Sequence, residues 1–303
     1  MATAPQSTSV LVLGSTGMLG HALMHELSGR PGLDVRGTAR SLDGVPAAFA
    51  DRFGDVVTTG VDVLDRPALR QFLLESRPDV VVNAVGVIKQ VPTVVNTALT
   101  AEVNGLLPHV LAQACDEVGA RLVHPSTDCV FSGRRGAYDE DDVPDPVDFY
   151  GRSKLLGEVS AVPHLTLRTS IIGPELTGKA SLVEWFLAQR GTSVRGFRRA
   201  IYSGLPTAEL ATLIGDIVLE HPGLSGLWHV ASEPIDKHHL LQLVAEAYDW
   251  TGEIAPDDTV AIDRSMRADR LRQEIGYAAP PWPELVKRMH DAQERWGELD
   301  VVA

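Results

Sequence analysis

The stretch SVLVLGSTGMLG, residues 9–20, decides the fold of this 303-residue chain. Its first five residues predict a buried parallel strand, and the next seven place three glycines ahead of an amphipathic helix. In such a unit Gly14 allows the tight turn, Gly17 lets backbone amides approach a pyrophosphate, and Gly20 lets the helix pack close to the sheet. The stretch therefore predicts a dinucleotide-binding turn, with G-x-x-G-x-x-G in place of the more common G-x-G-x-x-G.

Strands and helices continue to alternate through the first half of the chain. Apolar and β-branched runs predict four more strands, at residues 34–38, 56–61, 80–84 and 121–125, and a long helix at 95–118. The alternation predicts an α/β fold with a doubly wound, mostly parallel, Rossmann-like sheet. Because the rhythm loosens after Leu167, we expect a dinucleotide-binding domain at 1–170 and a smaller C-terminal substrate-binding lobe at 171–303, with segments returning to the main sheet.

Composition and charge narrow the class of protein. With 44% hydrophobic residues the chain can bury a large core, and its net charge of −13 argues against nucleic acid and anionic membranes as partners. Two cysteines, Cys115 and Cys129, make no disulfide framework and fit a reducing compartment. The first eight residues have neither the basic nor the apolar region of a signal peptide, so we expect a cytoplasmic protein.

The residue that follows the second predicted strand bears on the choice of cofactor. Arg40 stands where an NAD-preferring site carries an acidic residue for the ribose hydroxyls, whereas an arginine suits a 2′-phosphate. Arg40 therefore favours NADP, with NADPH preferred over NADH. The alternative is a solvated loop arginine, because Arg36 and Arg40 lie in a stretch rich in Gly, Ala and Asp.

Other strand ends are expected to line the same crevice. Asp62 either accepts a hydrogen bond from an adenine amino group or caps the next helix together with Asp65. The small residues at 84–86 let a flat cofactor lie against the backbone, and Lys89 is expected to point toward the crevice. Asn104 either ties a strand end in place or takes part in the chemistry.

The segment VDFYGRSKLLGE, residues 147–158, places Tyr150 and Lys154 one helical turn apart on the same face. Because an ammonium held close to a phenol favours the phenolate, we expect Lys154 to lower the pKa of Tyr150. The fifth predicted strand delivers the Thr127 hydroxyl to the carboxyl edge of the sheet, where a carbonyl substrate would be held. The alternative for Tyr150 and Lys154 is an ordinary exposed pair on a helix.

The second half carries one cluster of positive charge and no expected metal site. In this acidic chain Arg195, Arg198 and Arg199 are a candidate grip on a substrate pyrophosphate, with surface charge as the alternative. The acidic run at 139–142 is interpreted as a solvated rim, because no His or Cys spacing supports metal ligation there. The segment 262–277 is expected to be mostly a charged helix.

Three motifs in this order resemble the extended short-chain dehydrogenase/reductases. They are the glycine turn, Ser-Thr-Asp at the end of the fifth strand, and Tyr-x-x-x-Lys. Within that family, STDCVFSG followed by YGRSKLLGE is similar to the dTDP-4-dehydrorhamnose reductase group, and LRTSIIG at residues 167–173 extends the similarity. Cys129 replaces the aromatic residue of the usual S-T-D-Y, so a ring contact to the substrate sugar is lost there.

The resemblance implies a site residue by residue. The implied catalytic triad is Thr127, Tyr150 and Lys154. The implied cofactor contacts are Gly14, Thr16, Gly17, Met18, Leu19, Asp62, Val63, Ala84, Val85, Gly86, Tyr150 and Lys154. We add Arg40 to the cofactor site, and expect the substrate to contact Lys89, Thr127, Cys129 and Arg198.

The activity that the resemblance implies is NAD(P)H-dependent reduction of the C4 keto group of a nucleotide-diphospho-4-keto-6-deoxy sugar. The differences at Cys129 and at residues 86–90 suggest a related 4-keto sugar, such as a UDP-linked N-acetylated one. Two alternatives stay open: a nucleotide-sugar epimerase or dehydratase, and a non-catalytic NADP-binding regulatory subunit. We expect a small-molecule nucleotide-sugar partner, no nucleic acid and no membrane, and leave a homodimer open.

Overall fold

The structure, a computed structural model, describes residues 7–88, 97–178 and 180–297. Its strands are β1 (Thr8–Leu13), β2 (Leu33–Ala39), β3 (Val57–Thr59), β4 (Val80–Asn83), β5 (Arg121–Thr127), β6 (Leu165–Thr169), β7 (Ile171–Ile172), β8 (Ser193–Tyr202), β9 (Leu205–Pro206), β10 (Gly226–His229), β11 (Ile235–Asp236) and β12 (Glu253–Asp263). Its helices are α1 (Met18–Leu27), α2 (Ala47–Phe53), α3 (Arg66–Ser76), α4 (Thr97–Thr100), α5 (Leu107–Val118), α6 (Phe149–Leu156), α7 (Leu182–Leu187), α8 (Thr207–Glu220), α9 (Lys237–Ala247), α10 (Asp269–Ile275) and α11 (Trp282–Trp296). A π-helical turn, Ala101–Leu106, joins α4 to α5, and a 3₁₀ turn, Asp128–Val130, follows β5.

The central sheet has seven parallel strands in the order β10-β6-β5-β4-β1-β2-β3. From β1 the chain builds the sheet outward through β2 and β3, then returns to add β4, β5, β6 and β10 on the other side. The strand order thus reverses between β1 and β4, and ligands of open parallel sheets bind in the crevice at such a point. The predicted doubly wound α/β fold is confirmed.

The second half adds two small sheets and then rejoins the first. The strands β11, β8 and β12 form one small sheet, and β7 and β9 form another. The proposed domain boundary at residue 170 falls between β6 and β7. Strand β10 pairs with β6 in the main sheet, and one hydrophobic core includes both Leu23 of α1 and Ile214 of α8. At the end of α11, the Trp296 ring stacks on His25 with centres 4.9 Å apart.

The sequence prediction of a charged helix at 262–277 is wrong for its first half. Residues Ile262 and Asp263 end β12, where they pair in parallel with Ala200 and Ile201 of β8. The Asp263 amide also donates to the Gly133 carbonyl at 2.8 Å, and helix α10 begins only at Asp269. Parallel pairing with a distant strand overrides the local charge pattern, and residue 264 consequently lies in a connection.

The glycine turn has the geometry expected from the sequence. Gly14 has a φ of +79°, in the left-handed region that favours glycine. A Cβ atom on Gly20 would lie 2.0 Å from the Gly14 carbonyl oxygen, so only glycine lets α1 pack this close to the turn. Gly17 is the N-cap residue of α1 and provides no side-chain cap, which leaves first-turn amides available to an anion.

Replacing Gly20 by alanine is expected to force the turn and α1 apart and to lower the free energy of unfolding by about 1–3 kcal/mol. Urea unfolding followed by circular dichroism measures the change. Gly223→Ala is the control, because a Cβ atom there meets nothing within 4 Å. Equal stability of Gly20→Ala and wild type would contradict the close approach.

Candidate active site

The glycine turn is tied to the end of β2, next to Arg40. The Ser15 amide and hydroxyl both donate to the Thr38 carbonyl, at 2.9 and 3.0 Å. Thr16 and Met18 are half-buried, whereas the Leu19 side chain is packed in the core, so Leu19 can offer a ligand only its backbone. Arg40 itself is exposed just beyond β2. This cradle, with its uncapped helix, fits the pyrophosphate of a dinucleotide.

The segment after β4 forms the opposite wall of the crevice. A Cβ atom on Gly14 would lie 2.8 Å from Val85 Cγ2, so the turn and this segment are in contact. The Ala84 amide donates to the Leu13 carbonyl at 3.0 Å, and the Val85 amide donates to Asn83 Oδ1 at 3.2 Å. Residues 84–86 thus present small side chains beside the glycine turn, as the sequence predicts.

The residue that caps helix α3 is Asp65, not Asp62. Asp65 is the N-cap of α3 and accepts from the Ala68 amide at 3.0 Å. Asp62 is exposed, and its carboxylate accepts from the Leu64 amide at 3.0 Å. The adenine-binding role of Asp62 and Val63 stays a prediction. Lys89, predicted to contact substrate, lies outside the described residues.

Thr127, Tyr150 and Lys154 meet at the carboxyl edge of the sheet. Asp148 caps α6 by accepting from the Gly151 amide at 2.8 Å, so the helix starts just before Tyr150. Thr127 is the last residue of β5, and its side chain is close enough to influence the pKa of the Tyr150 phenol. Lys154 lies one turn further along α6 and is buried.

The expected effect of Lys154 on Tyr150 is absent from the structure. Burial raises the pKa of Tyr150 above its usual range, and the influence of Thr127 only partly opposes this. The Lys154 ammonium donates instead to the Pro125 carbonyl at 2.8 Å. The prediction of an acidic phenol is therefore wrong for the chain alone, because burial has the largest effect on the pKa of Tyr150. A protonated phenol at neutral pH is the form that donates a proton.

Burial also lowers the pKa of Lys154 to about 8, against a partly compensating effect of Glu158. At neutral pH the ammonium keeps its charge. In the unfolded chain the pKa of this lysine is about 10.5, so between pH 8 and pH 10.5 the unfolded state binds more protons than the folded state. The contribution of Lys154 to the free energy of unfolding therefore increases as the pH rises through this range.

Two glycines allow α6 to reach this position. A Cβ atom on Gly151 would lie 2.2 Å from the Cys129 carbonyl oxygen, and one on Gly157 would lie 2.0 Å from the Asn104 carbonyl oxygen. Sequence reasoning did not assign either glycine, although Gly151 stands inside the Tyr-x-x-x-Lys motif. Both glycines let α6 lie close to the Cys129 and Asn104 carbonyl groups.

Asn104 takes the structural role rather than a chemical one. Its amide group accepts from the Val87 amide and donates to the Val87 carbonyl, both at 2.9 Å, and donates to Ser153 Oγ at 3.3 Å. Asn104 lies on the π-helical turn, a distortion that is frequent at functional sites. It links the wall of the cofactor crevice to α6.

A buried ion pair between Arg168 and Glu158 lies just beyond the C-terminal end of α6. Arg168 donates twice to the Glu158 carboxylate, at 2.8 Å each, and the two side chains are 6% and 8% exposed. Ser126, next to Thr127, donates to the same carboxylate at 2.7 Å. Glu158 thus connects Lys154 of α6 with the end of β5.

Sequence reasoning missed two cations beside Thr127. Lys237 and Arg264 come from α9 and from the connection after β12, and both act electrostatically on Asp128 and Cys129. Arg264 was hidden in a segment interpreted as a helix. The signal that could have found it is its place two residues after an apolar and β-branched run, 259–262, which predicts a strand.

Cys129 lies in the site as a neutral thiol. Burial and the charge of Asp128 raise the pKa of Cys129 to about 12. Arg264 Nη1 contacts its sulfur at 3.6 Å.

The predicted arginine grip has other partners. Arg198 Nε donates to the Asp258 carboxylate at 2.9 Å, and the two side chains are 53% and 49% exposed. Arg195 pairs with Asp257 at 3.2 Å. These contacts follow from the pairing of β8 with β12 and favour the surface-charge alternative, while the substrate role of Arg198 stays a prediction.

Two further features bear on metals and membranes. Among the described residues, His290, Asp291 and Glu294 of α11 place possible ligand atoms within 4.8 Å of one another, but Asp291 already pairs with Lys287 at 2.6 Å.

Over the described ranges, no helix has the length and apolar character to cross a bilayer.

The fold and site define a dinucleotide-binding α/β protein with a Thr/Tyr/Lys set at the mouth of the crevice. Residues 8–294 match the model of the RmlD substrate binding domain family, and the chain belongs to this family. The resemblance inferred from the motifs is thereby confirmed at the level of the family.

The relatives of known name include both a reductase and a subunit of another enzyme. The chain is 38% identical to a dTDP-4-dehydrorhamnose reductase of Streptomyces griseus over 149 residues, 49% of the chain and 43% of that protein. It is 27% identical to methionine adenosyltransferase 2 subunit beta of Danio rerio over 253 residues, 79% of the chain and 73% of that protein. Among the first curated relatives, two are matched over only 60% and 43% of their length.

A solved structure supports the fold. The dTDP-4-dehydrorhamnose reductase of Bacillus anthracis, in complex with NADP, superposes with a TM-score of 0.77 at 22% identity. The match covers 94% of this chain and 99% of that one. At this identity the likeness shows a shared fold.

Replacing Glu158 by glutamine is expected to lower the pKa of Lys154 below 8, because the carboxylate that stabilises the ammonium loses its charge. The chain has five lysines, so NMR of protein labelled at the lysine Cε atoms can follow Lys154 against pH. Glu75→Gln, at an exposed position on α3, is the control. An unchanged Lys154 titration in Glu158→Gln would contradict the coupling.

Proposed function

We propose that this protein is an NADPH-dependent reductase of the C4 keto group of a nucleotide-diphospho-4-keto-6-deoxy sugar. The observation that carries the proposal is that Thr127, Tyr150 and Lys154 lie at the carboxyl edge of the parallel sheet, the edge at which the glycine turn follows β1 and α1 begins without a side-chain cap. Kinship with a named reductase of such a sugar supports the substrate class. NADPH oxidation on addition of a dTDP- or UDP-linked 4-keto sugar tests it.

The chain's own residues account for the proton chemistry. A reduced nicotinamide, when bound, supplies the hydride. Thr127 and Tyr150 hydrogen-bond the carbonyl oxygen, and the protonated Tyr150 donates its proton as negative charge develops there. Lys154 places a positive charge behind this oxygen, and its bond to the Pro125 carbonyl fixes the ammonium at the edge of β5.

The cofactor is proposed to lie between the glycine turn and the segment 84–86. Gly14, Thr16, Gly17, Met18 and the backbone of Leu19 would hold the pyrophosphate. Arg40 supports NADP over NAD, because it follows β2 and forms no ion pair with any described carboxylate. The NADP found in the Bacillus anthracis relative agrees with this choice.

The particular sugar is a finer proposal. The Streptomyces griseus relative carries the name of a dTDP-4-dehydrorhamnose reductase, which favours that substrate class. Cys129 offers no ring to a sugar, so we keep a UDP-linked N-acetylated 4-keto sugar as the competing substrate. Comparing kcat/KM for the two compounds decides between them. We further propose a cytoplasmic location and leave the homodimer to a solution mass measurement.

A non-catalytic subunit is the second candidate, because one relative is named as a subunit of methionine adenosyltransferase. The complete Thr127, Tyr150 and Lys154 set favours chemistry over a purely regulatory role. Net consumption of NADPH also separates the reductase from an epimerase or dehydratase, in which the cofactor is recycled. No glutamate follows Asp128, which weakens the dehydratase case.

Tyr150→Phe is expected to lower kcat by about 10²–10⁴-fold, because the proton donor is removed while the ring stays. NADPH binding, measured by fluorescence titration, should be retained. The matched control is Tyr277→Phe, whose hydroxyl bonds to Glu209 on another face at 3.2 Å. A Tyr150→Phe protein with wild-type turnover would remove this residue from the reaction.

Arg40→Gln is expected to lower kcat/KM for NADPH by about 10- to 100-fold and leave kcat/KM for NADH nearly unchanged, because only NADPH carries the 2′-phosphate. Arg36→Gln is the control, since Arg36 is exposed on β2 and lies 3.9 Å from Asp34. Equal losses with both cofactors would argue that Arg40 does not read the phosphate.

A further inference from the structure

Two cations from the second half of the chain converge beside the proposed catalytic threonine. Lys237 begins α9, and Arg264 follows directly after β12. Both act electrostatically on Asp128, the residue after Thr127, and on Cys129. The two cations are far apart in the sequence, but the residues that precede them, Asp236 of β11 and Asp263 of β12, both pair with Ile201 of β8.

Lys237 forms no salt bridge with a carboxylate within the part of the chain that the structure describes. Its ammonium nitrogen lies 5.7 Å from the centre of the Tyr202 ring. Burial lowers the pKa of Lys237, and the charge of Asp128 partly restores it. A largely covered cation without a bonded counter-ion is costly to a fold, so its place suits an anion that arrives from outside.

Arg264 is held in a fixed orientation. Its Nε donates to the Phe131 carbonyl at 3.0 Å, and its Nη1 contacts Cys129 Sγ at 3.6 Å. The flanking residue Ser265 is anchored as well, since its amide donates to Asp263 Oδ1 at 2.9 Å. Of the five N–H donors of a guanidinium, three remain uncommitted among the described contacts.

Asp128 does not account for both positive charges. Its carboxylate accepts from the Thr127 hydroxyl at 3.1 Å, and it forms no direct ion pair with either cation in the described structure. Two cations therefore act on one buried carboxylate that bonds directly to neither of them, in a chain whose net charge is −13. Such a position attracts an anion to the mouth of the crevice.

We propose that Lys237 and Arg264 form a subsite for an oxyanion carried by the substrate. Two groups share this chemistry: the diphosphate of a nucleotide sugar and a carboxylate on the sugar itself. The inference rests on the proposed function, which places the substrate carbonyl at Thr127 and Tyr150. Arg264 also contacts Cys129, so the subsite would adjoin the position at which the resemblance implies the loss of an aromatic ring.

The dissociation constants of UDP, dTDP and glucuronate test the subsite in calorimetric titrations of the full chain, with and without saturating NADP⁺. Lys237→Met and Arg264→Gln are expected to weaken binding by about 10- to 100-fold, the usual effect of losing a charge-assisted hydrogen bond. Lys287→Met and Arg267→Gln are the controls, because both side chains are exposed and pair with nearby aspartates.

The pattern of losses identifies the oxyanion. Weaker binding of UDP and dTDP assigns the subsite to the diphosphate, whereas weaker binding of glucuronate alone assigns it to a sugar carboxylate. Unchanged binding of all three ligands in both variants overturns the inference and leaves the reductase proposal intact. Conversely, nucleotide held by these two residues in a protein that reduces no keto sugar overturns only the reductase proposal.

A measurement on the wild-type chain keeps the test valid if a variant does not fold. Protein labelled at the lysine Cε atoms gives five signals to follow by NMR. An oxyanion next to the Lys237 ammonium should raise the pKa of Lys237 at saturating UDP, dTDP or glucuronate, because it stabilises the charged form. A Lys237 titration that none of the three ligands moves overturns the inference.

Discussion

The close approach of helix α6 to the carboxyl edge of the sheet is the constraint on which the site depends. Gly151 lets the helix meet the Cys129 carbonyl, and Gly157 lets it meet the Asn104 carbonyl. With the helix this close, the Tyr150 hydroxyl reaches Thr127, and the Lys154 ammonium reaches the backbone of β5. A side chain at either glycine would push the helix outward and separate these groups.

Burial, more than pairing of opposite charges, sets the protonation of the groups at this edge. The same loss of water raises the pKa of Tyr150 and of Cys129 and lowers the pKa of Lys154. The result at neutral pH is a protonated phenol, a neutral thiol and a charged ammonium. The arrangement suits proton donation to an oxygen that gains negative charge, and Glu158 supports it by keeping Lys154 charged.

Features encoded by local spacing were predictable from the sequence. The glycine turn, the Tyr150–Lys154 spacing and the position of Thr127 each depend on a few neighbouring residues, and the structure brings them together as expected. The strand alternation likewise predicted the fold class. A return of second-half segments to the main sheet is also expected from the sequence, and β10 pairs there with β6.

Features set by distant pairing were not predictable in the same way. Arg264 follows β12, and β12 is a strand because it pairs with β8, some sixty residues earlier in the sequence. A charge-rich segment such as this one is easily interpreted as a helix when its distant partner is not known. The partner of the Lys154 ammonium is a carbonyl on β5, which no motif names. The partners of Arg198 also come from β12, so the interpretation of that arginine cluster depended on the same missing pairing.

The pairing of β10 with β6 has a consequence for dividing the chain. A fragment that ended at residue 170 would lack β10 and leave β6 as an uncovered edge strand, with a row of unpaired backbone groups open to intermolecular association. The complementary fragment would lose the apolar surface of α1 against which α8 and α11 pack. If the two halves are expressed from separate genes, or exchanged between relatives, we therefore expect fragments that aggregate instead of domains that fold independently.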